Sequence, residues 1–300
     1  MIRTPPSLST VRLDAFPWAR IAGPFRALAH AFVVRTMDPE LGRYLEGVLD
    51  PFADGDTNAP AYSVVDRGET IKNRYALYYG HERLALTPSG SFVVATLLWH
   101  VNRGAISSGG GEFVLVHAGA VEWDGHAALF PAPMESGKTT LVAGMVRAGA
   151  RYLSDEAAAI EPGSLLVHPF PKALTIGAGS WGVLADLAPE VDPTLARRYL
   201  RDDWHIDARA IRPDSLAPAT LPSFVIAPSY VRDAATSLLP MTRAEAVMHL
   251  GQNSFNLREH GRHGLEVLAA VVRRSTCHRL VVGDLDEACD LLRRVLSKAT

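Results

Sequence analysis

The chain has 300 residues, enough for one large domain or two modest ones, and at 48% hydrophobic and 21% charged it can bury a substantial core. Lys plus Arg number 30 against 32 Asp plus Glu, a formal net charge of -2, which gives no electrostatic case for a nucleic-acid partner. No segment approaches the roughly 18 apolar residues of a membrane span, so no membrane partner is expected.

The N-terminal stretch MIRTPPSLSTVRLDAFPWAR has adjacent prolines and no continuous apolar run, which argues against a signal peptide and for the cytoplasm. DPELGRYLEGVLDPF places Leu41, Tyr44, Leu45, Val48 and Leu49 at helical spacing, with Asp38 as N-cap and Glu40 in the first turn. YALYYGHERLALTPS reads as a hairpin turning near Gly80, and SFVVATLLWHVNRGAI as a buried helix. ISSGGGEF reads as a flexible break, dividing an N-terminal α+β region, residues 1–106, from a second domain, residues 107–300.

From Glu112 the order becomes strand, hairpin, strand, loop, helix, strand. FVLVHAGAVEWDGHAALFPAP forms two strands around Asp124-Gly125, a strong hairpin signal. TTLVAGMVRAG is a short helix closed by Gly149, and ARYLSDEAAAI is a short apolar strand interrupted by Ser154, Asp155 and Glu156. Further on, SFVIAPSY reads as a strand and MTRAEAVMHLGQNSFNL as a helix. HRLVVGD is a strand leading into a helix capped by Asp284, with Glu287 three residues on, and buried along Leu285, Ala288, Cys289, Leu292 and Leu296. Cys277 and Cys289 sit in no metal-binding spacing and read as small apolar residues.

The chemistry lies between strand and helix in FPAPMESGKTTLVAG. A phosphate-binding loop needs converging backbone N–H groups, a helix N-terminus facing the anion, a Lys for the terminal phosphates and a hydroxyl for Mg²⁺. Ala132, Pro133, Met134, Glu135, Ser136, Gly137, Lys138, Thr139 and Thr140 fit that plan as a nucleotide-binding loop that takes phosphate and Mg²⁺. The departure is Ala132, where the pattern has its first Gly. Ala costs little there at an ordinary backbone angle, and about 1–2 kcal/mol at a left-handed one.

A right-handed crossover from the loop's strand carries Asp155 and Glu156 to the same sheet edge as the loop. One acid can then hold magnesium while the other takes a proton from an incoming hydroxyl, as phosphoryl transfer requires. His117, ending the strand FVLVH, is a third candidate, against a purely structural reading. Lys172, in HPFPKALTI, reads equally as a phosphate or substrate ligand or as a solvated surface Lys. Residues 197–214, dense in charge around an exposed-looking Trp204, read as a solvated loop or as an acceptor-binding region.

HAGAVEWDGHAALFPAPMESGKTTLVAGMVRAGARYLSDE resembles the catalytic domain of HPr kinase/phosphorylase. His117 and Gly119 end the first strand, Gly137-Lys138-Thr139 close the loop, and an acidic pair follows the next strand. That pair is Asp-Asp in the family and Asp155-Glu156 here; the family's loop opens with Gly. The PFPK segment, residues 169–172, and Ser254-Phe255-Asn256 look more like the related proteins of bacterial gene clusters than like the HPr enzyme itself. The resemblance implies an α/β fold with a P-loop kinase core of the HPr kinase and phosphoenolpyruvate carboxykinase type. It implies ATP-dependent transfer to a hydroxyl, often a protein serine. By position, Lys138 and Thr139 bind phosphate and Mg²⁺, Asp155 is the base, Glu156 is a metal or phosphate-site neighbour, and His117 assists near the transferred group. The family enzyme forms hexamers, so a homo-oligomer is an implied state. The acceptor stays open between a peptide or protein serine and a small-molecule hydroxyl such as a sugar, polyol or amino acid. A nucleotide-binding switch or ATPase, and a degenerate loop retained in a binding module with Ala132 as its sign, are the other readings of the same loop.

Overall fold

Asp38 starts the first helix through its carboxylate, which accepts from the backbone N–H of Glu40 (3.0 Å) and Leu41 (3.3 Å). Pro39 takes the first helical position, where its missing N–H costs nothing. The computed structural model describes residues 13–190, 193–200 and 202–298. Most of the N-terminal stretch read as lacking a leader, residues 1–12, lies outside them.

The chain forms a mixed α/β structure. Its first elements are β1 (Arg20–Ala27), β2 (His30–Thr36), α1 (Pro39–Leu49), β3 (Ala61–Asp66), β4 (Tyr75–Tyr79), β5 (Glu82–Thr87) and α2 (Gly90–Gly109). β1 to β5 lie side by side in chain order, with β2 and β3 parallel and the two following pairs antiparallel. Gly80 turns between β4 and β5 at φ 57°. Next come β6 (Val114–Val116), β7 (Ala118–Trp123), β8 (His126–Pro131), α3 (Lys138–Arg147), β9 (Arg151–Ser154), β10 (Ala158–Ile160), β11 (Val167–His168) and β12 (Leu174–Gly177). The rest are α4 (Pro193–Tyr199), β13 (Asp203–Ile206), α5 (Ala208–Ile211), β14 (Pro222–Tyr230), β15 (Ser237–Pro240), α6 (Arg243–Gln252), α7 (Leu257–Arg274), β16 (Thr276–Val282) and α8 (Leu285–Leu296).

Two compact units result. Of the described residues, 13–26, 31–100 and 193–200 belong to one, and 27–30, 101–190 and 202–298 to the other. The sequence reading divided the chain at 106/107, but α2 runs on through the expected break at Ile106–Ser108 and ends only at Gly109. Serines cost a helix little at its last turn, and the glycines after them stop it.

The second unit is built on a six-stranded sheet of order β15-β16-β14-β8-β7-β9. β8, β14 and β16 are mutually parallel; β7 runs antiparallel to both β8 and β9. Asp124 (φ 48°) and Gly125 (φ 85°) make the β7–β8 turn, two consecutive left-handed residues matching the twist of the strands. Along β8, Ala128 and Phe130 face the core shared with α3 and α8, while Ala127 and Leu129 face the one shared with α6 and α7. Burial on both faces explains why this strand reads as an unbroken apolar run.

α8 follows its prediction closely. Asp284 Oδ1 accepts from Glu287 N at 2.9 Å, and the five anticipated residues are buried. Cys277 and Cys289 are both buried and free.

Candidate functional site: the loop between β8 and α3

β8 delivers the chain into residues 132–137, and α3 begins at Lys138. Gly137, at φ 84°, is the turn residue, and no side chain caps the helix. Its first N–H groups and positive dipole end therefore remain for an anion.

Ala132 is buried, 2% exposed, and its φ is not positive. The missing Gly is thus no loss of shape. The loop's left-handed non-glycine residue is Glu135, at φ 59°. Lys138 folds back over the loop, its Nζ donating to Ala132 O (2.8 Å) and Pro133 O (2.6 Å), with Ser136 Oγ at 3.4 Å. Burial pushes its pKa down to about 8, against the charges of Glu156 and Asp155, which favour the ammonium.

Because β7 lies between β8 and β9 and opposes both, those two strands run the same way. The α3 crossover therefore brings the end of β9 back beside the loop. Thr139 Oγ1 donates to Asp155 Oδ2 at 2.8 Å. Tyr152 OH donates to Asp155 Oδ1 at 2.7 Å, and Lys172 Nζ reaches Oδ1 at 2.9 Å and Oδ2 at 3.1 Å. Asp155 and Lys172 are both buried. The surface reading of Lys172 is corrected: Phe170 and Leu174, both fully buried, flank it and draw it inward. Burial alone would lower the Lys172 pKa, but the Asp155 and Glu156 charges outweigh it and hold it above the ordinary value. Burial raises Tyr152, and the neighbouring Asp155 charge adds to the effect.

Ser154 Oγ accepts from the N–H groups of Glu156 (3.1 Å) and Ala157 (2.9 Å), a local turn that separates the two acids. Among the described residues the half-buried Glu156 carboxylate takes no hydrogen bond, and burial raises its pKa.

His117 precedes β7, whose first residue pairs with Pro131, so it stands beside the loop's entry. Its N–H donates to Asn253 O at 2.7 Å, and its ring lies 5.4 Å from that of Phe255. Burial, then the Lys138 charge, pushes its pKa down to about 4, leaving a neutral imidazole at pH 7.

Trp204, expected to be exposed, is half-buried and stacks on Trp181 at 5.1 Å between centroids. Its neighbour His205 is pushed down to about 4 by burial and then by the Lys172 charge. Thr140 Oγ1 meets Ser180 Oγ at 2.6 Å, tying the first turn of α3 to the segment before Trp181. At the β7–β8 turn a recess of about 310 Å³ is lined by Glu122, Arg151 and Arg212. Glu122 neutralises Arg151 there, and Arg212 donates to Gly149 O and Ala150 O.

No protein-family model matches the chain, and no curated protein matches it. Its function must therefore be argued from these side chains. No helix among the described residues is long and apolar enough to cross a membrane.

Among the described residues no group of three or more His, Cys, Asp or Glu is placed to hold a metal by itself. Mg²⁺ does not require one: it binds through one or two protein ligands plus phosphate oxygens and water. The Thr139 hydroxyl and the Glu156 carboxylate suit that role, with Asp155 bonded to Thr139.

Proposed function

We propose that the chain is an ATP-dependent kinase that transfers the γ-phosphate to a hydroxyl, with a serine of a peptide or protein as acceptor. The observation that carries this reading is the 2.8 Å bond between Thr139, in the first turn after the loop, and Asp155, at the end of β9. Two groups separated along the chain meet where phosphate, metal and base chemistry must coincide.

Lys138 exchanges its loop carbonyls for terminal phosphate oxygens. Thr139 and Glu156 would hold Mg²⁺, which would supply charge neutralisation at the phosphates. Thr139, Tyr152 and both contacts of Lys172 fill the roughly four acceptor sites of Asp155, so the acceptor's O–H displaces one of these donors when it docks, Thr139 being the one at the loop. As the new O–P bond forms and the bond to the ADP oxygen breaks, the hydroxyl proton passes to this carboxylate. Lys172 and Tyr152 keep it oriented, and neutral His117 donates a hydrogen bond near the transferred group.

The test is calorimetry with MgATP on wild type and Lys138→Ala, followed by transfer from [γ-³²P]ATP. Binding lost in the variant and label found on a serine hydroxyl support the reading. No binding by wild type overturns it. Turnover without a labelled acceptor favours a nucleotide switch, and label only on small hydroxyl compounds moves the acceptor to that class.

A further inference from the structure

Ser254-Phe255-Asn256 takes no part in the phosphate chemistry, yet it is pinned firmly to β6. Leu115 O accepts from Phe255 N (2.9 Å) and Ser254 Oγ (3.0 Å). Asn256 Oδ1 accepts from Leu115 N (2.9 Å), and its Nδ2 donates to Phe113 O (2.8 Å) and Gly110 O (3.3 Å). Asn253 O accepts from His117 N, and Asn253 Nδ2 donates to His249 O.

The clamp holds one side chain outward. Phe255 is 41% exposed and lies against His117, which stands beside the loop. The donors of Asn253, Ser254 and Asn256 are spent on backbone carbonyls, so the most exposed group of this segment beside the site is the Phe255 ring. On the loop itself, Met134 is 79% exposed, next to the exposed Glu135. An apolar side chain gains by leaving water against the Phe255 ring, whereas the hydroxyls of a sugar or polyol would lose water there with no partner on the ring itself.

We infer that Phe255 is the acceptor-recognition residue of this site, and that the acceptor is a polypeptide serine or threonine with an apolar side chain next to it. The inference rests on the kinase reading. A fixed ring lowers the entropy lost on binding, which gives the hydrogen-bonded clamp a purpose beyond folding.

The experiment uses the full chain, [γ-³²P]ATP, and peptides whose central serine is flanked by Leu or by Asp. Wild type is expected to favour the Leu-flanked peptides in kcat/KM by about tenfold. Phe255→Ala should raise KM for them by about tenfold and erase the preference, while Phe255→Leu retains most of it. MgATP calorimetry on each variant reports whether the nucleotide site survived the change. Equal use of both peptide classes, a preference that persists in Phe255→Ala, or label only on small hydroxyl compounds overturns the inference. MgATP binding without any labelled peptide overturns the inference alone. Absence of MgATP binding by wild type removes the kinase reading as well.

Discussion

Lys172 Nζ lies 2.9 Å from Asp155 Oδ1, with both side chains almost wholly removed from water. Such a pair is held less by its own attraction than by the penalty for breaking it. Lys172→Met strands a buried carboxylate and Asp155→Asn strands a buried ammonium. Each should cost about 3–5 kcal/mol of stability in urea unfolding. The double variant should recover part of that cost, because no unpaired charge remains; a strictly additive double variant would disprove the coupling. Asp155→Asn should in addition lose phosphoryl transfer.

Ala132 has an ordinary backbone angle and Glu135 does not. Ala132→Gly should therefore leave MgATP affinity unimproved and lower stability by about 0.5–1 kcal/mol through the looser unfolded chain. Glu135→Gly relieves a left-handed residue and should be neutral or stabilising by up to about 1 kcal/mol. Tighter nucleotide binding by Ala132→Gly, read by calorimetry, would show that the loop does require its first glycine.

His117 and His205 both have folded pKa values near 4, against about 6.5 in an unfolded chain. Between those values the unfolded state binds more protons, so stability rises with pH across the window. The contribution is complete above pH 6.5 and is lost as pH falls toward 4. After allowance for partial exposure, each histidine should account for on the order of 1–2 kcal/mol. Urea midpoints at pH 7 and 4.5 should differ less in His117→Gln and His205→Gln than in wild type; unchanged differences would refute the assignment.

Asn256 is buried and uses its oxygen as acceptor and its amide nitrogen as donor. Asn256→Asp keeps the size but turns a carboxylate oxygen toward the carbonyls of Phe113 and Gly110. It should cost about 2–3 kcal/mol, more than Ser254→Ala, which removes one half-exposed hydroxyl bond. Thermal unfolding of the two variants side by side checks the order.

Where one side chain dictates a local event, the sequence was legible: Asp38 and Asp284 as caps, Asp124-Gly125 as a turn, and the loop from Ala132 to Thr140. The return of the end of β9, with Asp155, to the side of the sheet that carries the loop was legible too, because crossover handedness leaves few other arrangements; the bond to Thr139 itself was not. Lys172 was not, since nothing in a lone Lys announces a carboxylate partner seventeen positions away; its apolar neighbours in PFPKALTI were the available signal. Tyr152 was hidden by its ordinary role as a strand residue. α7 went unread although Val267, Leu268, Val271 and Val272 recur at helical spacing, because the His- and Gly-rich start of LREHGRHGLEVLAAVVRR breaks the period, and Gly261 indeed leaves helical angles at φ 54°. The attachment of Asn256 to β6 joins residues more than a hundred positions apart and has no local signature.

On the kinase reading, the groups that would handle phosphate lie between His117 and Lys172, whereas the ring that would meet the acceptor comes from Phe255, tied down by its neighbours on either side. Chemistry and choice are thus inherited through separate stretches of one gene. On that reading, a duplicated copy could acquire a new client by a single change at position 255 without touching Lys138 or Asp155. Diverged copies of this protein should therefore differ at Phe255 before they differ at Lys138 or Asp155.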